Sequence, residues 1–163
     1  MSTVEPDEVE ARAAALLAAL ARHRVTLASV ESLTGGMFAS AVTAVPGASV
    51  SYLGGFVTYA TRLKHELVGV DADQIAEIGV INAATAEAMA EGGRERTGAD
   101  LVVACTGVAG PDPQDGVQPG TVFIAVASAS QVTVAHLFLP GDRRAIRQGT
   151  VAAMIDLVAS GLD

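Results

Sequence analysis

VTLASVESLTGGMFAS, residues 25–40, is the stretch on which the fold turns. Residues 25–31 form a short run of apolar and β-branched side chains, which predicts a strand, and residues 34–45 carry a helical pattern. Ser32, Thr34, Gly35 and Gly36 stand at the junction. A strand followed directly by a helix is the start of a crossover, so the next strand can lie parallel to the first.

On the N-terminal side, Pro6, the acids Asp7, Glu8 and Glu10, and Val9, Ala13, Leu16, Leu17 and Leu20 at helical spacing predict an amphipathic first helix. On the C-terminal side, residues 56–59 predict a second strand and residues 61–68 a short helix. Asp71 is placed to cap another short helix closed by Gly79, and Asn82 to cap a longer one that stops at Gly98. ADLVVACTG (99–107) reads as a strand entering a long Gly/Pro loop. TVFIAVASAS (121–130) and QVTVAHLFLP (131–140) read as a hairpin, and residues 142–162 as a terminal amphipathic helix. The order α, β, α, β, α, α, α, β, β, β, α predicts a layered α/β domain with a mixed sheet, parallel at the crossovers and antiparallel at the hairpin. With no internal repeat or linker, residues 1–163 are expected to form a single domain with its core over about 8–160.

Composition narrows the function. Half of the 163 residues are apolar, the net charge is -8, and no Lys/Arg-rich run is present, which argues against nucleic acid or an anionic membrane as partner. An anionic ligand must therefore meet a local positive patch. Cys105 is the only cysteine, so no intrachain disulfide is possible, as suits a reducing compartment. The acidic N-terminus does not read as a signal peptide, and no run approaches the roughly 20 apolar residues of a membrane span. A cytoplasmic protein is expected.

In sheets of this class, ligands collect where strands end and loops turn into helices. Ser32 lies at such a turn. Its hydroxyl suits helix capping and nucleophilic attack equally, because both use the free amides of a helix start. A nucleophile needs a base, and His23, His65 and His136 all read as surface or core residues. Lys64 stands out: nine of the ten basic residues are arginine and one is lysine. Arginine stays protonated, whereas a desolvated lysine can lose its proton and take one from serine. It can equally be an exposed lysine on the 61–68 helix. Tyr59 and Thr106 offer hydroxyls near the second and third loops. Arg143, Arg144 and Arg147 form the densest basic cluster, with Arg143 and Arg147 on one helix face at a helix start, where a bound anion would relieve their conflict with the dipole.

VESLTGG, GGFVTYATRLK, TGVAGPDP, PGTVFIAV and GDRRAIR occur in the order and approximate spacing of the C-terminal domain of the CinA proteins, and over nearly the whole chain the sequence resembles that family, stand-alone nicotinamide-nucleotide amidohydrolases included. The resemblance implies a three-layer α/β/α fold and a Ser/Lys amidohydrolase, without metal or other cofactor, that converts nicotinamide mononucleotide to nicotinate mononucleotide and ammonia. Homo-oligomers, dimers foremost, are implied too. By position Ser32 would be the nucleophile and Lys64 its base, with Tyr59 and Thr106 as site partners. Amides of Thr34, Gly35 and Gly36 would hold the oxyanion, and Arg143 or Arg147 with the loop of Gly107 and Gly110 would bind phosphate. The alternatives are a non-catalytic nucleotide-binding module or a Ser/Lys amidase for another small amide. Three positions depart from the family pattern: Leu33 stands where cysteine is frequent, Asn82 where serine is usual, and DGVQPGTV replaces a lysine-containing run.

Overall fold

The computed structural model describes residues 6–162. Helix α1 (Pro6–His23) leads into strand β1 (Leu27–Glu31), and helix α2 (Met37–Thr43) precedes a single 3-10 turn and strand β2 (Tyr52–Val57). Helices α3 (Thr61–Val68), α4 (Ala72–Ile78) and α5 (Ala83–Thr97) follow in succession, then strands β3 (Leu101–Gly107), β4 (Thr121–Ala127) and β5 (Val132–Phe138), and helix α6 (Arg143–Ser160). Asp71 caps α4 through the amides of Asp73 and Gln74, and Asn82 caps α5 through that of Thr85. Both helices start where the sequence placed them.

The strands form one sheet in the order β2-β1-β3-β4-β5. β1 runs parallel to β2 and β3, and the β3–β4 and β4–β5 pairs are antiparallel, the mixed arrangement expected from crossovers followed by a hairpin. Side chains alternate along the central strands: Leu27, Val103 and Cys105 face α1, α2 and α6, and Ala28, Val30, Val102 and Ala104 face α3 and α5. Because β1 and β3 bury both faces, they lack the polar alternation of a half-exposed strand. The result is three layers, α/β/α, with Phe38, Ile146 and Met154 filling one core and Met89, Ala90 and Val68 the other. No helix among the described residues is long and apolar enough to cross a membrane.

Two boundaries differ from the sequence expectation. α2 begins at Met37 rather than at residue 34, because Gly35 (φ 57°) and Gly36 (φ 96°) take the left-handed conformation, which a right-handed helix cannot contain. β2 starts at Tyr52, four residues earlier than its aromatic run suggests, and ends at Val57, two residues earlier. Its Gly55 runs so close to β1 that a Cβ there would lie 2.2 Å from the Ser29 carbonyl oxygen. Glycines needed for close approach hide a strand from propensity.

The sheet register sets up the site. Glu31 pairs with Val57 on one side and Cys105 on the other, so the next residues, Ser32, Thr58 and Thr106, lie side by side at the carboxyl ends of the three parallel strands.

Candidate active site

Lys64, on the first turns of α3, is buried, with 1% of its surface exposed. Its Nζ lies 3.0 Å from Ser32 Oγ and donates to the Thr58 carbonyl at 2.7 Å. Among the described residues no carboxylate forms an ion pair with it. Burial therefore lowers its pKa from 10.5 to about 8, with Cys105 nearby opposing the shift. As an ammonium Nζ donates to Ser32 Oγ; once neutral and held by one N–H to the Thr58 carbonyl, it can turn its lone pair to the serine hydroxyl, which is the arrangement a base needs. The chain's lysine is thus a buried partner of Ser32 and not a solvated surface residue.

The turn after Ser32 is wrapped around Glu31. This carboxylate is 1% exposed and accepts from Thr34 Oγ1 at 2.6 Å, from the amides of Gly36 and Phe38 at 3.0 Å, and from that of Ala39 at 2.9 Å. Gly35 N donates to the Ser32 carbonyl at 3.0 Å. From the other side Arg147 donates to the carbonyls of Leu33 (3.0 Å) and Thr34 (2.8 Å). Beneath lies Cys105, whose thiol burial pushes up to about 11 while the Thr34 hydroxyl at 3.2 Å opposes that rise.

Ser32 and Lys64 open on a cavity of about 340 Å³, also lined by Leu33, Tyr59, Thr106, Gly107, Gly110 and Arg143, within the range that small-molecule sites occupy. The expected residues divide accordingly. Thr34, Gly35, Gly36 and Arg147 do not line it: of the amides expected to hold an oxyanion, that of Gly36 is spent on Glu31 and that of Gly35 on the Ser32 carbonyl, and Arg147, expected to meet phosphate, is spent on the turn carbonyls. Thr106 Oγ1 donates to the Val80 carbonyl at 2.6 Å, which fixes the wall formed by Val80 and Ile81 and leaves no hydrogen bond from Thr106 to the Ser32–Lys64 pair. Arg143 bridges two loops, donating to the Gly110 carbonyl at 2.8 Å and to Tyr59 Oη at 2.9 Å. It forms no ion pair among the described residues, so it brings an unpaired positive charge to a cavity that Asp112 also lines. His136 stacks on Phe123, and His65 bonds the Val70 carbonyl, so neither belongs to the site. Among the described residues no cluster of His, Cys, Asp and Glu could hold a metal ion.

Sequence reasoning assigned nothing to Glu31, Val80, Ile81 or Asp112, of which all but Glu31 line the cavity. Glu31 did carry a signal, since a carboxylate just before a helix start suits the positive end of the dipole. Val80 and Ile81 carried none, because their place at the site depends on how α4 and α5 are joined.

Residues 9–162 match the family model described as the CinA C-terminal domain. A CinA-like protein of Frankia casuarinae is 44% identical over 143 residues, 88% of this chain and 33% of that protein. A putative competence-damage inducible protein of Desulforudis audaxviator is 44% identical over 145 residues, 88% of this chain and 35% of that protein. The crystal structure of a competence-damaged protein (CinA) superfamily protein from Klebsiella pneumoniae matches with a TM-score of 0.92 at 27% identity, over 94% of this chain and 97% of that one. The chain spans about a third of the length of the curated relatives it matches. With its motifs in order, a mixed five-stranded sheet superposable on that structure and a match over nearly its full length, the chain belongs to the CinA C-terminal domain family.

Proposed function

We propose that the chain hydrolyses the carboxamide of a pyridine nucleotide, nicotinamide mononucleotide in the first instance, through Ser32 as nucleophile and Lys64 as base. The observation that carries this reading is the buried, cation-disfavouring position of Lys64 Nζ, 3.0 Å from Ser32 Oγ at the wall of a cavity. A binding module has no use for a desolvated amine against a serine. With a pKa of about 8, roughly a tenth of the protein carries neutral Lys64 at pH 7.

In this mechanism neutral Lys64 takes the Ser32 proton as Oγ attacks the carboxamide carbon. The tetrahedral intermediate collapses as the Lys64 ammonium returns a proton to the leaving nitrogen, releasing ammonia and leaving an acyl ester on Ser32. Water, deprotonated by Lys64, then hydrolyses the ester to the carboxylate and regenerates the serine. The oxyanion falls to the amide of Leu33, a cavity-lining residue whose N–H has no hydrogen-bond partner among the described residues, and not to the α2 amides that Glu31 occupies. No resident cofactor takes part, and the working form is a homo-oligomer.

The deciding experiment measures ammonia release from nicotinamide mononucleotide, nicotinamide riboside and free nicotinamide. Release from the nucleotide foremost is expected. Release from none of them, with saturable nucleotide binding, would make the domain a binding module.

Arg143 supplies the positive charge for the phosphate. Arg143→Ala is expected to raise KM for the nucleotide roughly tenfold to a hundredfold, the loss of a charge-assisted pair, with a smaller change in kcat. The riboside should be affected far less, and equal effects on both substrates would remove Arg143 from phosphate binding.

A further inference from the structure

Glu31 is a buried carboxylate that forms no ion pair among the described residues. Such a group is costly to bury unless donors surround it, and here one hydroxyl and three amides do so. An ordinary helix cap sits at the residue next to the helix. Glu31 instead reaches α2 from the last residue of β1, so its bonds to Gly36 and Phe38 close a loop over the intervening residues, Ser32 among them.

The main chain of the same residue serves the other half of the pair. The Glu31 carbonyl accepts the Thr58 amide at 2.8 Å, and the Thr58 carbonyl receives Lys64 Nζ at 2.7 Å. Strand end, nucleophile turn and amine anchor therefore meet at one residue.

We infer that Glu31 is a positioning residue for the proposed reaction: its carboxylate, bonded across the turn, holds Ser32 Oγ at hydrogen-bond distance from the Lys64 amine. This rests on the Ser32–Lys64 reading above. It separates two functions within one residue, because a side-chain substitution loosens the serine turn and leaves the main-chain anchor of Lys64 in place.

Glu31→Gln keeps the size but sets an amide N–H₂ against donors that now meet only acceptor oxygens. It is expected to lower kcat roughly tenfold to a hundredfold, as a misplacement of about 1 Å does. KM should stay within about twofold, since neither Arg143 nor the cavity walls change. The midpoint of the pH profile of kcat/KM should stay where the wild type has it, since the burial of Lys64 and its Thr58 contact are untouched. Thr34→Val, which removes one donor to Glu31 at constant size, is expected to show a severalfold loss of the same form, and it decides the matter if Glu31→Gln does not fold.

The readout is the rate at which a small sulfonyl fluoride labels Ser32, identified by mass spectrometry and expressed per folded molecule, measured beside ammonia release. Slower labelling per folded molecule in the variants supports positioning. Wild-type labelling and kcat per folded molecule in both, or in Thr34→Val where Glu31→Gln does not fold, would overturn it and leave Glu31 a structural cap. A wild-type protein that neither releases ammonia nor is labelled at Ser32 would overturn the Ser32–Lys64 reading itself, and the inference with it.

Discussion

Lys64→Met and Ser32→Ala are each expected to lower ammonia release by about a thousandfold or more, the consequence of losing a base or a nucleophile, yet to move stability in opposite directions. The pKa of Lys64 is lowered from 10.5 to about 8 by burial. Between those two values the unfolded chain binds a proton that the folded protein does not, so stability rises with pH across the window. Below pH 8 both states are protonated and the folded protein bears the full cost of a buried cation, about 3 kcal/mol. Methionine removes that cost and leaves the Thr58 carbonyl without its partner, at about 1–2 kcal/mol. Lys64→Met is therefore expected to be more stable than wild type by about 1–2 kcal/mol at pH 7. Ser32→Ala, which keeps the cation and removes one of its two partners, is expected to be less stable by about 1 kcal/mol.

Urea midpoints for the three proteins from pH 7 to 10.5 measure this. The difference between wild type and Lys64→Met should shift in favour of wild type as pH rises through the window; a difference independent of pH would mean that Lys64 is not desolvated. For the same reason wild-type kcat/KM should rise with pH and level off above about 8, as the free protein's base loses its proton.

Gly92→Ala is the second large effect, and it is structural. Glycine inside an exposed helix costs about 1 kcal/mol relative to alanine, so the substitution would ordinarily help α5. Here a Cβ would lie 1.7 Å from the carbonyl oxygen of Val68 and 2.8 Å from its carbon, both main-chain atoms that cannot rotate away. α3 must move, and the expected cost is about 3 kcal/mol, at the upper end of overpacking. Lys64 lies one turn before Val68 on the same helix, so the displacement is passed to the amine. A kcat lowered by about tenfold or more is expected beside the lower urea midpoint. A midpoint at or above that of wild type would show that α3 is not held by this contact.

Much of the fold was legible because its signals are local. Asp71 and Asn82 cap the helices they precede, since an acceptor side chain and the amides it serves are only two or three residues apart. The hairpin of β4 and β5 announced itself by β-branched runs on either side of a short turn. Where local signals misled, a neighbour in space was the cause. The Gly54–Gly55 pair reads as a break, yet lies within β2, where at Gly55 β1 passes too close for a side chain. Gly35 and Gly36 read as a substrate-binding turn, yet serve to bend the chain so that its amides meet Glu31.

The site divides along the same line. That Ser32 and Lys64 form a pair was suggested by chemistry, one lysine among nine arginines, and by motif order. Arg147 and Arg143 could not be told apart, because both lie on one face of α6, four residues apart. Their fates differ by what stands opposite each: Arg147 meets the carbonyls of Leu33 and Thr34, and Arg143 meets Gly110 and Tyr59 at the cavity.

Sequence alone determined the element order, the caps, the layered α/β class and the residue types able to do acyl chemistry, because each depends on hydrophobic period, spacing and side-chain identity. Only the tertiary structure decided which of those residues touch. The alignment of Glu31 with Val57 and Cys105 across three strands puts Ser32, Thr58 and Thr106 at one edge, and the burial of Lys64 against Thr58 sets its proton affinity. Strand register and desolvation belong to the packed chain as a whole, where residues distant in sequence become neighbours and water is excluded from between them.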